Sequence, residues 1–179
     1  MDLKSLSKFL SLILRHKPET VGIKLDAGGW ANVSDLLRGI KRTGKNISFV
    51  DIEKVVAEND KQRFSFNADK SKIRANQGHS INVDVELQEK VPPTKLFHGT
   101  LEKNSASIER EGLLKMSRLY VHLSADIETA EKVARRRKGT SLIYEVDAAE
   151  MSADGFTFYQ SVNGVWLTEH VPPKYLARI

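Results

Sequence analysis

The sequence predicts an α+β protein built as two lobes, helices followed by a hairpin in the first and a small mixed sheet lobe in the second. Apolar residues recur at helical spacing three times before residue 60, and a strand–turn–strand pattern follows them. From residue 96 onward, short strands alternate with helices. Between the two patterns, the stretch Val83–Lys95 ends in Pro92-Pro93, which cannot continue a helix and favours an extended connector. The expected divisions are residues 1–84, a linker over 85–95, and residues 96–179.

Leu3, Leu6, Phe9, Leu10 and Ile13 mark the first helix, which must stop before Pro18 because a residue preceding proline avoids the α region. Arg15 and His16 therefore fall at its C-terminal end. Asp26–Gly29 reads as a turn between two short extended pieces. Val33, Leu36, Leu37 and Ile40 mark a second helix with Asn32 as N-cap, and Val50–Glu58 a third that carries Ile52, Val55 and Val56 inward. Arg63–Phe66, a polar turn and Ile73–Ala75 then predict a β-hairpin. Three helices and a hairpin are the outline of a winged helix-turn-helix, which serves nucleic acids but also plain protein contacts.

In the second lobe the order is strand Leu96–His98, helix Ser105–Glu111, strand Tyr120–Leu123, helix Asp126–Arg136 and strand Ser141–Val146. Phe156–Tyr159 and Val165–Leu167 are further strands, and Asn163-Gly164 is a tight turn between them.

Composition narrows the chemistry. With no cysteine there is no disulfide, thiolate nucleophile or Cys-based metal site, which fits a reducing compartment. No Walker loop, dinucleotide fingerprint or HExxH helix is present, and no segment approaches the roughly 20 apolar residues of a membrane span. A formal net charge of +5 suits a polyanionic partner. Residues 1–90 hold 16 Lys+Arg against 12 Asp+Glu, whereas the remainder holds 12 against 11, so the excess lies in the first half.

Several residues are candidates for anion chemistry. Arg15-His16-Lys17 gathers cations at a helix C-terminus, either to cap the last carbonyls or to meet a phosphate. Arg63 adds a planar guanidinium matched to phosphate oxygens. Gln77-Gly78-His79-Ser80 is a donor-rich turn that is either ordinary surface or a ligand loop. His98-Gly99-Thr100 ends a strand before a helix, where amides and hydroxyls can meet a ligand. Arg118 precedes a strand that carries His122, which is either a structural hydrogen-bonding histidine or a site residue. Glu169 lies close enough to the last strand to be an acidic catalyst by spacing alone.

Taken together, LRHKP at Leu14–Pro18, NDKQRF at Asn59–Phe64, QGHS at Gln77–Ser80, HGT at His98–Thr100, MSR…VHLS at Met116–Ser124 and NGVWL at Asn163–Leu167 resemble the KptA-like RNA (tRNA) 2′-phosphotransferases. Each block is weak alone, but the ordered set spans nearly the whole chain. The resemblance implies a winged-helix lobe joined to an ADP-ribosyltransferase-like lobe, with the active site in the cleft between them. It implies that Arg15, His16, Arg63 and Arg118 are catalytic, and that His98, His122 and Val165 stand for the His, His and apolar signature of one ADP-ribosyltransferase branch. Glu169 then drops out as a catalyst.

The implied reaction consumes NAD⁺ as co-substrate and needs no metal. An internal RNA 2′-phosphate attacks the nicotinamide ribose, and the ribose 2″-hydroxyl then attacks the phosphorus, leaving 2′-OH RNA and ADP-ribose 1″,2″-cyclic phosphate. His98, Gly99, Thr100, His122, Ser124 and Val165 would line the NAD⁺ pocket. Gln77, Gly78, His79 and Ser80 would contact the RNA 2′-phosphate. Arg135-Arg136-Arg137-Lys138, the densest charge run, is either a solvated face or a contact for RNA backbone or NAD⁺ pyrophosphate. The expected partner is RNA carrying an internal 2′-phosphate, tRNA being one such substrate, and the expected protein is a cytoplasmic monomer.

Overall fold

Asp2 opens the first helix by accepting a 2.9 Å hydrogen bond from the Ser5 amide, satisfying one of the amides a helix start leaves without an intrahelical partner. In this computed structural model, which describes residues 1–59 and 61–179, helix α1 covers Leu3–Arg15. Its stripe of Leu6, Leu10, Ile13 and Leu14 is fully buried. A 3₁₀ turn, Pro18–Val21, follows the helix. Asp60, inside the NDKQRF block, lies outside the described residues.

The rest of the first unit is β1 (Ala31–Asn32), α2 (Val33–Arg42), α3 (Phe49–Glu58), β2 (Phe64–Phe66) and β3 (Lys72–Ala75). Asn32 caps α2 as expected, its side chain accepting from the Asp35 amide at 3.1 Å. Helix α3 starts at Phe49, one residue before the expected start, because Ser48 and Asp51 form a reciprocal capping box. The expected hairpin forms with Phe64 opposite Ala75 and Phe66 opposite Ile73. The extended piece after the Asp26–Gly29 turn becomes β1 on the outer edge of β3, giving an antiparallel sheet of order β1-β3-β2. One core joins the α1 stripe to Leu36, Ile40, Ile52, Val55, Phe64 and Ile73.

The second unit begins at Leu87, the chain dividing into Met1–Glu86 and Leu87–Ile179. Within the stretch expected as linker, Gln88–Glu89 forms β4, which pairs with β9 (Tyr159–Gln160). The elements between them are β5 (Lys95–Leu101), α4 (Ser105–Glu111), β6 (Leu113–Leu114), β7 (Val121–Leu123), α5 (Ile127–Ala134), β8 (Ser141–Asp147) and α6 (Ala148–Ala153). After β9 come β10 (Trp166–Thr168), β11 (His170–Val171) and β12 (Leu176–Arg178).

Strand β8 is the axis of this unit, paired along its whole length with β5 and on its other edge with β12. A second sheet runs β4-β9-β10-β7, and β6 pairs with β11. Leu96, Leu123, Tyr144, Val146, Met151, Phe158 and Trp166 share one core. Several expected boundaries move. Strand β5 runs on to Leu101, so His98-Gly99-Thr100 lies inside the strand and not at its end. Strand β7 starts at Val121, β8 reaches Asp147 and β10 is shifted one residue to Trp166–Thr168. Helix α5 stops at Ala134 with Arg135 as its C-cap, two residues short of Arg136. The strand expected over Phe156–Tyr159 is Tyr159–Gln160, and Phe158, just before it, is buried in the core at 1% exposed. The Asn163-Gly164 turn is present, with Gly164 at φ 78 donating to the Ser161 carbonyl at 2.8 Å. The chain has the α+β character expected of it, and no described helix is long and apolar enough to cross a membrane.

Candidate functional site

In the first unit, the loop after β3 folds back onto the end of α1. The Ser80 amide donates to the Arg15 carbonyl at 3.0 Å, satisfying one of the carbonyls that a helix end leaves open. The Ser80 hydroxyl sits 2.9 Å from His16 Nδ1 and shares a hydrogen bond with it. Gly78 has φ +87, and a Cβ there would meet the Arg15 guanidinium at 3.4 Å. Glycine is used here because the loop must turn left-handed while passing close over that side chain. The donor-rich turn thus serves the cations of α1, whatever else it touches.

His79 is 2% exposed, and its pKa is pushed down to about 4, first by burial and then by the charges of Arg15, His16 and Arg74. It is therefore neutral at pH 7. A neutral His79 ring adds no positive charge beside the Arg15 guanidinium.

Arg63 starts the hairpin and is held by Asn59, whose Oδ1 accepts from Arg63 Nη1 at 3.0 Å while its Nδ2 donates to Ser7 at 2.9 Å. The backbone on either side of Arg63 is fixed by buried Asn76, which donates to the Gln62 carbonyl at 2.6 Å and through its amide to the Arg63 carbonyl at 2.9 Å. Gln62 is left-handed at φ 40, a conformation such bonds must hold in place. Asn59 and Asn76 were not singled out from sequence. The legible signal was an Asn four residues before the Arg, which reads equally as a helix end. Arg63 and His16 line the same groove. Trp30 is half-buried, with Arg74 over its ring at 4.4 Å.

In the second unit, Ser124 exchanges two backbone hydrogen bonds with Phe97, at 2.9 and 2.8 Å. Trp166 pairs with Leu123, so extending the register by one residue sets Val165 across from Ser124. Phe97, beside His98 in β5, is thus bridged to Ser124 at the end of β7, and β10 pairs with β7. His98 Nδ1 lies 3.1 Å from the His122 carbonyl, and His122 Nδ1 lies 3.0 Å from the Tyr120 carbonyl. Since a carbonyl only accepts, Nδ1 of His98 carries the proton. Burial lowers the His98 pKa, opposed by that hydrogen bond and reinforced by the charge of Arg118. The neutral ring leaves Nε2 as an acceptor.

Arg118 follows a turn in which Met116 is left-handed at φ 55. Its side chain keeps solvent contact, yet surrounding protein and then the charges of Arg137 and Arg136 lower its pKa. A guanidinium stays protonated even so, and three clustered guanidiniums favour an anion among them. The Arg135–Lys138 run therefore divides: Arg135 forms a 2.9 Å pair with Glu131 on the helix surface, while the charges of Arg136 and Arg137 act on Arg118.

Two expected pocket residues carry structural duties. A Cβ on Gly99 would fall 1.9 Å from the Ala130 carbonyl, so this glycine lets α5 lie against β5. Thr100 accepts a 3.0 Å hydrogen bond from Asn104. Glu169 is exposed. No group of three or more His, Asp or Glu side chains placed to hold a metal is found among the described residues.

The arrangement defines an α+β protein that gathers guanidinium and imidazole groups in each of its two units. The match to known proteins is specific: residues 2–170 match the model of the RNA 2′-phosphotransferase, Tpt1 / KptA family. A probable RNA 2′-phosphotransferase of Fusobacterium nucleatum is 54% identical over 171 residues, covering 96% of each chain. One from Trichormus variabilis is 55% identical over 171 residues, covering 96% of this chain and 93% of its own. Another, from Flavobacterium johnsoniae, is 53% identical over 173 residues, 97% of this chain and 94% of its own. The chain belongs to the RNA 2′-phosphotransferase, Tpt1 / KptA family.

Proposed function

We propose that the protein is an NAD⁺-dependent RNA 2′-phosphotransferase. In this reading the first unit is a winged-helix lobe that receives RNA, and the second is an ADP-ribosyltransferase-like lobe that receives NAD⁺. The observation that carries it is the cation set at the end of α1. His16 and Arg63 line one groove, and the loop 77–80 is folded onto Arg15 and His16, in a chain about half identical to proteins named for this activity.

The chemistry follows from what these groups can do. A phosphate monoester is already an anion, so the first step needs no general base. Its oxygen attacks the anomeric carbon of the nicotinamide ribose, the bond to nicotinamide breaks, and RNA becomes joined to ADP-ribose through the 2′-phosphate. Neutral His98, with Nδ1 held by the His122 carbonyl, suits a ribose pocket because Nε2 can accept from a sugar hydroxyl. That positioned imidazole acceptor is what supports NAD⁺ as co-substrate.

In the second step the ribose 2″-hydroxyl attacks the same phosphorus. Its proton leaves, the bond from phosphorus to the RNA 2′-oxygen breaks, and that oxygen takes up a proton. Charge builds on the phosphoryl oxygens, where Arg15, Arg63 and Arg118 act as clamps. His16, steadied by Ser80, is the proton-transfer group.

The deciding experiment combines purified protein, NAD⁺ and an RNA bearing one internal 2′-phosphate. Expected products are nicotinamide, 2′-OH RNA and ADP-ribose 1″,2″-cyclic phosphate. An ADP-ribosylated RNA that never resolves would make the protein a one-step ADP-ribosyltransferase. Phosphate removal that proceeds without NAD⁺ would refute the co-substrate.

A further inference from the structure

Lys4, Ser7, Lys8 and Ser11 recur on one outward face of α1 and, with Leu3 and Leu12, line a groove of about 550 Å³. Val55, Glu58 and Asn59, at the C-terminal end of α3, also line it. The same groove reaches His16 and Arg63, so it runs along α1 into the proposed phosphate clamp. From Lys4 to His16 that path is about 18 Å at the helical rise. Neither Lys4 nor Lys8 has an ion-pair partner among the described residues, and both are exposed. Leu3 and Leu12 are 39% and 38% exposed, an apolar surface left uncovered beside the two lysines.

We infer that this groove is a binding track for the single-stranded RNA adjoining the 2′-phosphate, its backbone following Lys4 and Lys8. The inference rests on the phosphotransferase reading and extends it from one phosphate to the flanking nucleotides. Charge selects the occupant. Lys4, Lys8, His16 and Arg63 line the groove against one acidic residue, Glu58. A chain with a negative charge at every unit and an apolar face at each base matches this mixture of ammonium groups and exposed leucines. A purely solvated lysine face would be convex, would lack exposed leucines, and would lead nowhere.

The test is the double variant Lys4→Gln/Lys8→Gln, assayed on a 10-nucleotide RNA with a central 2′-phosphate and on a dinucleotide carrying the same group. For the 10-mer, KM should rise on the order of tenfold at 0.15 M salt, with kcat unchanged, because two phosphate contacts are lost. The slope of log KM against log salt should fall by about 1.4, at about 0.7 per contact on a single strand. Dinucleotide kinetics should be unchanged, which also shows that the variant is folded. An unchanged KM and salt slope for the 10-mer would overturn the track while leaving the phosphotransferase reading intact. Equal losses on both substrates would also overturn it, by placing the lysines at the reacting phosphate. If wild-type protein turns over neither substrate, the phosphotransferase reading fails. The track is then decided by fluorescence anisotropy with an unmodified labelled 10-mer: tenfold weaker binding by the variant supports it, and equal binding refutes it.

Discussion

The His16 imidazole and the Ser80 hydroxyl, 64 positions apart in sequence, share a 2.9 Å hydrogen bond, and the Ser80 amide closes onto the carbonyl of neighbouring Arg15. One residue therefore fixes both the ring and the helix end that presents it. Ser80→Ala keeps the amide bond and removes the hydroxyl, so it should leave stability within about 1 kcal/mol while lowering kcat roughly tenfold through a loosely held ring. Single-turnover assays should show accumulated ADP-ribosylated RNA, and Ser80→Thr should restore the rate. An unchanged kcat in Ser80→Ala would remove Ser80 from a positioning role.

Arg63 Nη1 donates to Asn59 Oδ1 at 3.0 Å, which orients a planar guanidinium whose fork matches two phosphate oxygens. Arg63→Lys should lose most of the activity even though it keeps the charge, because an ammonium cannot reproduce the planar fork. Arg63→Ala and Arg118→Ala should stall after the first step. Asn59→Ala should lower kcat by a smaller factor, on the order of tenfold. Gel separation of substrate, intermediate and product reads all four variants.

Buried His79 gives stability a pH dependence with a definite sign. Its folded pKa of about 4 lies below the ordinary 6.5, so between these values the unfolded chain binds the extra proton and stability rises with pH. The contribution is complete above pH 6.5 and is lost as pH falls toward 4, to the extent of about 3 kcal/mol. Urea titrations from pH 7.5 to 4.5 should show this slope, and His79→Gln should flatten it. A slope that is the same in both proteins would mean that the acid sensitivity arises elsewhere.

Gly99→Ala separates a structural glycine from a ligand-contact glycine. A Cβ 1.9 Å from the Ala130 carbonyl must push α5 off β5, with a cost of about 3 kcal/mol and a drop in Tm of about 10 °C. Calorimetry without ligand should detect this. A variant of normal Tm that binds NAD⁺ poorly would return Gly99 to the pocket.

Much of the fold was legible because its signals are local. The α1 stripe, the Asn32 and Asp126 caps and the hairpin after Arg63 all write themselves within a few residues. What escaped depends on distant partners. Gln88–Glu89 is a strand only because β9 lies beside it, and Leu176–Arg178 only because β8 has a second edge. The latter follows Pro172-Pro173, and nothing local announces a strand there. The candidate site divides in the same way. Its charged residues stand out in sequence, whereas Asn59 and Asn76, which hold Arg63, look like ordinary loop asparagines. Ser80 was noticed as part of a donor turn, but nothing local indicates that it reaches back to His16.

The closure between Ser80 and Arg15-His16 also sets an order of events during synthesis. Helix α1 leaves the ribosome well before the loop 77–80, so its terminal histidine has no fixed bearing until the chain has grown past residue 80. Contacts of such separation form late, because the entropy of closing a long loop must be met before they contribute. A nascent or truncated chain would thus carry the cations of α1 without their orientation until the last turn of the first unit is in place.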